Sequence, residues 1–172
     1  MACELVNGIV GVCDYSTSGV EKLWLANKAN VTGTTYNSGG EVTGVTFLSG
    51  TTIVYSIEPA LDTCTFSDDL VVNGARRNFL QTINFGLGSI DHDILGTLED
   101  LGLSNLVAFV KGSDGNIRAF GLKGSGLRTT VMTDASGTAA GNDGALAVTI
   151  AGSSTGKASF VTTACAATLG LI

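Results

Sequence analysis

Two short apolar runs, Leu106–Val110 and Ile117–Leu122, flank the segment Lys111-Gly112-Ser113-Asp114-Gly115-Asn116. Asp-Gly between apolar runs is a strong local signal for a β-hairpin, because glycine takes the positive φ that a tight reversal requires. A hairpin commits the chain to antiparallel pairing. Its apolar faces then need a second layer to cover them.

The rest of the chain repeats the strand pattern. Val20–Val31 holds Leu23, Trp24 and Leu25 between polar ends and predicts a strand. Glu41–Leu48 alternates, with Val42, Val45 and Phe47 as core candidates, and Thr51–Ile57 is dense in the β-branched and aromatic residues that suit a pleated surface. Arg76–Leu87 places Phe79, Gln81, Ile83 and Phe85 on one set of alternate positions. Leu127–Met132, Ala145–Ile150 and Ala158–Val161 complete a tally of about eight strands. One segment breaks the period. In Asp91–Leu101, Ile94, Leu95, Leu98 and Leu101 form a helical stripe, with Ser89 or Asp91 as the N-cap and Gly102 as the C-cap. Residues 1–19 predict an arm, Thr32–Gly40 a loop, and Thr133–Gly144 a low-complexity flexible loop. Glu58–Ala75 predicts a long connection, with strand character only at Thr63–Phe66, that orders against a neighbour. A small-residue tail follows from residue 152 to 172. The expectation is a single mainly β domain over residues 1–172: an antiparallel β-sandwich or barrel-like sheets with one internal α-helix.

Composition enters where partners are concerned. Charged residues are only 14% of the 172, against 44% hydrophobic, which excludes a disordered chain and is a low charge for a small soluble monomer. Such a surface suits burial against further copies of the chain. The net charge is −6 and no basic cluster exceeds Arg76-Arg77, so specific nucleic-acid binding is not expected. The start, Met1-Ala2-Cys3-Glu4, lacks a basic leader, and the apolar runs fall short of the roughly 20 residues of a membrane helix. Synthesis in a cytoplasm without export is the expectation.

Catalytic constellations are hard to assemble from these residues. His92, the one imidazole, sits at a helix start between Asp91 and Asp93, and no G-x-S-x-G elbow accompanies it. Gly152-Ser153-Ser154-Thr155-Gly156-Lys157 looks like a phosphate loop, but only three residues separate Gly152 from Gly156. Ala158 stands where a Ser or Thr would bind magnesium. Asp134, Asn142 and Asp143 lack the alternate spacing and acidic clamp of a calcium loop. Asp62, Asp68 and Asp69 read as a solvated or lumen-facing acidic group rather than a glycosidase pair. Cys3, Cys13, Cys64 and Cys165 contain no CxxC pair and read as buried or semi-buried thiols, with one or two disulfides, Cys3–Cys13 closing a short N-terminal loop, as the alternative. Asn30-Val31-Thr32 is a formal glycosylation sequon. Trp24, Tyr15, Tyr36 and Tyr55 are too few and scattered for a carbohydrate-binding face. No enzyme activity, cofactor, metal or catalytic residue is expected.

The order of elements resembles a known family. N-terminal strands lead to the long connection, then a strand, a single helix, the LVAFVKGSDGNIRAFGL hairpin and the DGALAVTIAG strand. This looks like the major tail, or tail-tube, proteins of tailed phages over roughly residues 20 to 152. The opening Met1-Ala2-Cys3 with Cys13 is similar to small phage structural proteins. The resemblance implies a virion protein, assembled in the host bacterial cytoplasm. It would self-assemble into stacked, hexameric rings and meet other virion proteins and DNA passing non-specifically, without a membrane. A capsid decoration, ring or head-tail adaptor sandwich is the alternative. The cysteines and the C-terminal tail depart from the family pattern.

Overall fold

The computed structural model describes residues 20–48, 53–60, 63–74, 76–88, 95–135 and 145–172. The fold is mainly β and antiparallel. Its strands are β1 (Val20–Asn27), β2 (Val31–Tyr36), β3 (Val42–Phe47), β4 (Tyr55–Ile57), β5 (Thr65–Asn73), β6 (Arg76–Leu87), β7 (Asn105–Gly112), β8 (Ile117–Phe120), β9 (Leu127–Ala135), β10 (Ala145–Ser154) and β11 (Ser159–Phe160). The helices are α1 (Leu95–Leu103) and α2 (Thr163–Leu169), with a single 3-10 turn at Lys28–Asn30.

The expected hairpin forms as β7 and β8, with Gly115 at φ 78° in its turn and Asp114 Oδ1 accepting from the backbone N–H of Asn116. β7 is also the branch point of the fold. One of its edges pairs with β1 from Leu106 to Gly112. Its other edge is divided: Ala108–Lys111 pair with β8, while Asn105 and Leu106 pair with β9. The nine-stranded sheet therefore splits into β4–β1–β7–β8–β11 and β9–β10–β6–β5. Residues of both branches meet in one core: Leu23 and Leu25 of β1, Ala108 and Val110 of β7, Ile83 and Phe85 of β6, Val148 and Ile150 of β10, and Leu98 and Leu101 of α1. The two branches are thus the facing layers of a sandwich.

A third layer covers the opposite face of the first branch. Trp24 and Ala26 of β1, with Val107 and Phe109 of β7, pack against Val42 and Phe47 of β3 and Cys165, Ala166 and Leu169 of α2. β1 and β7 are consequently buried on both faces. Near-continuous apolar runs such as Leu-Trp-Leu-Ala and Leu-Val-Ala-Phe-Val are what such strands require.

Several expectations are revised. Val20–Val31 is not one strand, because the 3-10 turn separates β1 from β2, and β2 occupies most of the expected Thr32–Gly40 loop. Of the expected Thr63–Phe66 segment, Thr65 and Phe66 open a nine-residue strand, so half of the Glu58–Ala75 connection is β5. Asn73 pairs with Arg76, and Gly74 turns the chain between them at φ 61°. α1 continues past Leu101 to Leu103, so Gly102 lies inside the helix instead of capping it, and residues 89–94 lie outside the described ones. The internal helix is joined by α2 in the segment read as a tail. Thr162 caps α2 by accepting from the Cys165 N–H, and Gly170 ends it at φ 71°. The tail is held because Cys165, Ala166, Leu169 and Leu171 are buried. The 1–19 arm and most of the Thr133–Gly144 loop lie outside the described residues, although Thr133–Ala135 continue β9.

Candidate assembly surface

β5 ends its sheet, so its outer backbone groups face no strand among the described residues. Its inner neighbour is β6, in register from Thr65 opposite Asn84 to Asn73 opposite Arg76. β10 follows β6 only as far as Phe79, so the last turn of the β5–β6 hairpin stands beyond the body of the sheet. Uncovered apolar residues run from the body into this extension: Leu70 is 55% exposed and Leu80 41% at the end of the three-strand part, and Val71 45% and Val72 58% beyond it. Side chains alternate across a strand, so Leu70 and Val72 lie on one face and Val71 on the other. Free edges of this length with apolar flanks are what proteins normally shield, because they template pairing with another chain.

Beside this edge the two layers of the sandwich part around a groove of about 390 Å³. Phe66, Asp68 and Asp69 line it on β5, Arg118 and Phe120 on β8, and Lys157, Ala158 and Phe160 on the segment through β11. Phe66 meets Phe120 at 5.4 Å between ring centroids. The Arg118 guanidinium lies 5.1 Å from the centroid of Phe66 and 5.0 Å from that of Phe160, a cation–π arrangement on two rings. Its nearest carboxylate is Asp114, at 3.7 Å. Asp68 ties the layers together: Oδ2 accepts from the Ala158 N–H at 2.8 Å. Its Oδ1 is buried with no hydrogen-bond partner among the described residues.

Gln81, opposite Asp68 on β6, is buried and bonded through both its oxygen and its nitrogen. Its Oε1 accepts from the Gly121 N–H at 2.8 Å, and its Nε2 donates to the Gly156 carbonyl at 3.4 Å. The open face of β9–β10–β6–β5 carries a hydroxyl and amide ladder. Thr149 Oγ1 bonds Asn84 Oδ1 at 2.8 Å, Asn84 Nδ2 bonds Thr65 Oγ1 at 3.4 Å, and Thr130 Oγ1 donates to the Thr149 carbonyl at 3.2 Å.

The residues weighed for chemistry are not brought together. His92, Asp62, Asn142, Asp143, Cys3, Cys13 and Tyr15 lie outside the described residues. Asp68 and Asp69 share the groove, whereas Asp134 is exposed on β9. Gly152–Ser154 finish β10 instead of opening a helix. Trp24 is in the core, Tyr55 packs against the core, and Tyr36 sits under Lys123 Nζ at 5.0 Å. Asn30 closes the 3-10 turn ahead of β2. Cys64 and Cys165 are free, buried thiols. Among the described residues no three His, Cys, Asp or Glu side chains are grouped to hold a metal, and no helix is long and apolar enough to cross a membrane. No family model, curated protein or solved structure matches the chain.

The sequence reading missed the β5 edge, although a signal was present. Leu70-Val71-Val72 and Phe79-Leu80 flank Asn73-Gly74, an Asn-Gly hairpin signature. Asp68-Asp69, which read as loop chemistry, obscured it.

Proposed function

We propose that this chain is a self-assembling structural subunit whose copies join through the β9–β10–β6–β5 layer, in its most specific form as stacked rings of a phage tail tube. The observation that carries the reading is the uncovered β5 edge with apolar residues on both its faces. The directions of the strands support it. All three pairings in the layer are antiparallel, so β5 runs opposite to β9. Copies related by rotation alone then set β5 of one beside β9 of the next in antiparallel sense, and the sheet continues around a closed ring. Past Arg128, β9 pairs only with β10 among the described strands, so it too has an edge to offer. The ladder of Thr65, Asn84 and Thr149 gives the layer's open face neutral hydroxyls and amides, on which a polyanion finds little to hold it.

Size-exclusion chromatography with light scattering, followed by negative-stain imaging of the pure protein, tests this. Rings or tubes that grow with concentration are expected. A monomer that persists at high concentration overturns the proposal.

A further inference from the structure

We infer that Asn73 is a site of spontaneous modification, where the Gly74 backbone nitrogen closes on the side-chain amide and converts it to aspartate or isoaspartate. This goes beyond the self-assembly reading and does not depend on it. Asn73 is exposed and closes the β5–β6 hairpin opposite Arg76. Its side-chain amide makes no hydrogen bond among the described residues. Gly74 follows at φ 61°, outside both strands, and its N–H bonds to no described residue. An added Cβ at Gly74 would meet nothing within 4 Å. A small attacking residue, an unbonded amide and open space are what ring closure requires. The turn also has freedom to open. β10 pairs with β6 only as far as Phe79, so movement at Asn73 leaves the body of the sheet undisturbed.

The step balances without an oxidant or a reductant. The Gly74 nitrogen gives up its proton and bonds to Asn73 Cγ, the Cγ–Nδ2 bond breaks, and ammonia leaves. Water then opens the cyclic imide at one of its two carbonyls. One opening gives aspartate, and the other gives isoaspartate, which carries an extra methylene in the main chain. An aspartate formed here lies opposite Arg76, a favourable cross-strand pair. Other turns show what restrains this chemistry. At Asp114-Gly115, in the β7–β8 turn, the carboxylate accepts from the Asn116 side-chain amide and backbone N–H, each at 3.0 Å. Those bonds hold Asp114 below the ordinary carboxylate range, and an ionised carboxylate resists attack. Asn37 is locked as well: its Oδ1 accepts from the N–H groups of Gly39 and Glu41, and its Nδ2 donates to Glu41. Asn73 has neither restraint.

Ageing the folded protein in mildly alkaline buffer tests this, with each changed position assigned by tandem mass spectrometry. The sample is kept dilute, below the onset of any assembly seen by light scattering, and circular dichroism checks that the fold persists. Position 73 is expected to gain the mass difference between an amide and an acid. An isoaspartyl carboxyl methyltransferase is expected to label the same position. Asn37 and Asn116 are expected to stay unchanged over the same interval. Asn73→Gln enlarges the ring that must close and is expected to lose the conversion at this position. Assignment by position also separates Asn73 from Asn7-Gly8, the other Asn-Gly pair in the sequence. A sample aged in urea gives the rate of the unfolded chain. An Asn73 that converts only in urea overturns the inference, as does one that converts no faster than Asn37 and Asn116 in the folded protein.

Discussion

Cys64 shows what burial does to a single group. It lies in the core with Leu23, Ile57 and Phe85, and desolvation pushes its thiol from 9.0 up to about 12. Once the chain unfolds, the thiol is free to ionise near 9.0. Between 9.0 and about 12 the folded protein therefore holds a proton that the unfolded chain has released. Stability from this group is complete below 9.0 and falls as pH rises toward 12. Cys165, also raised by burial, acts with the same sign. The Cys64→Ala variant is expected to lose less stability than the parent as pH is taken above 9.0, read from urea titrations at stepped pH. Mass spectrometry after mild alkylation is expected to find Cys64 unmodified in the folded protein and modified in denaturant.

Among elements, β10 shows how closely the layers approach. Gly152 lies against the backbone of Gly126, where an added Cβ would collide with the Gly126 carbonyl oxygen. Gly126 itself lies close to the Leu106 carbonyl and the Lys28 side chain, so it has little room to yield. Gly152→Ala is expected to destabilise the protein by about 1–3 kcal/mol or more, measured as a lower urea midpoint with an unchanged slope. This glycine begins the segment that looks like a phosphate loop in sequence, and its role is close packing. Elements whose signal is local were legible in this way: the β7–β8 hairpin from Asp114-Gly115, and β6 from the alternation of Gln81, Ile83 and Phe85. β5 was not, because an edge strand buries little and its acids resemble a loop. α2 was not, because a seven-residue helix of small residues has no stripe to read and is stable only through Cys165, Ala166 and Leu169 beneath it. The groove escaped notice for a related reason. Asp68, Arg118 and Phe160 are far apart in the chain and meet only when the two layers close.

For the whole molecule, the third layer is what lets β1 and β7 be buried on both sides. Leu169 and Leu171 alone contribute ~1.5–3 kcal/mol each by burial, a large part of the ~5–15 kcal/mol that holds a domain folded. Truncation after Val161 removes α2 and uncovers Trp24, Val107 and Phe109. The truncated chain is expected to bind a hydrophobic dye and to lose its cooperative melt, and a sharp parent-like transition would show the layer to be dispensable.

The branch at β7 also sets a timetable for the newborn chain. Leu23 pairs with Val110, nearly ninety positions downstream. A ribosome adding ~5–20 residues per second needs about 4–17 s to bring that partner out. Throughout this interval Leu23, Trp24 and Leu25 have emerged, while the strand that will shield them is still being translated. How well the protein is produced in a cell thus depends on the fate of β1 during that wait.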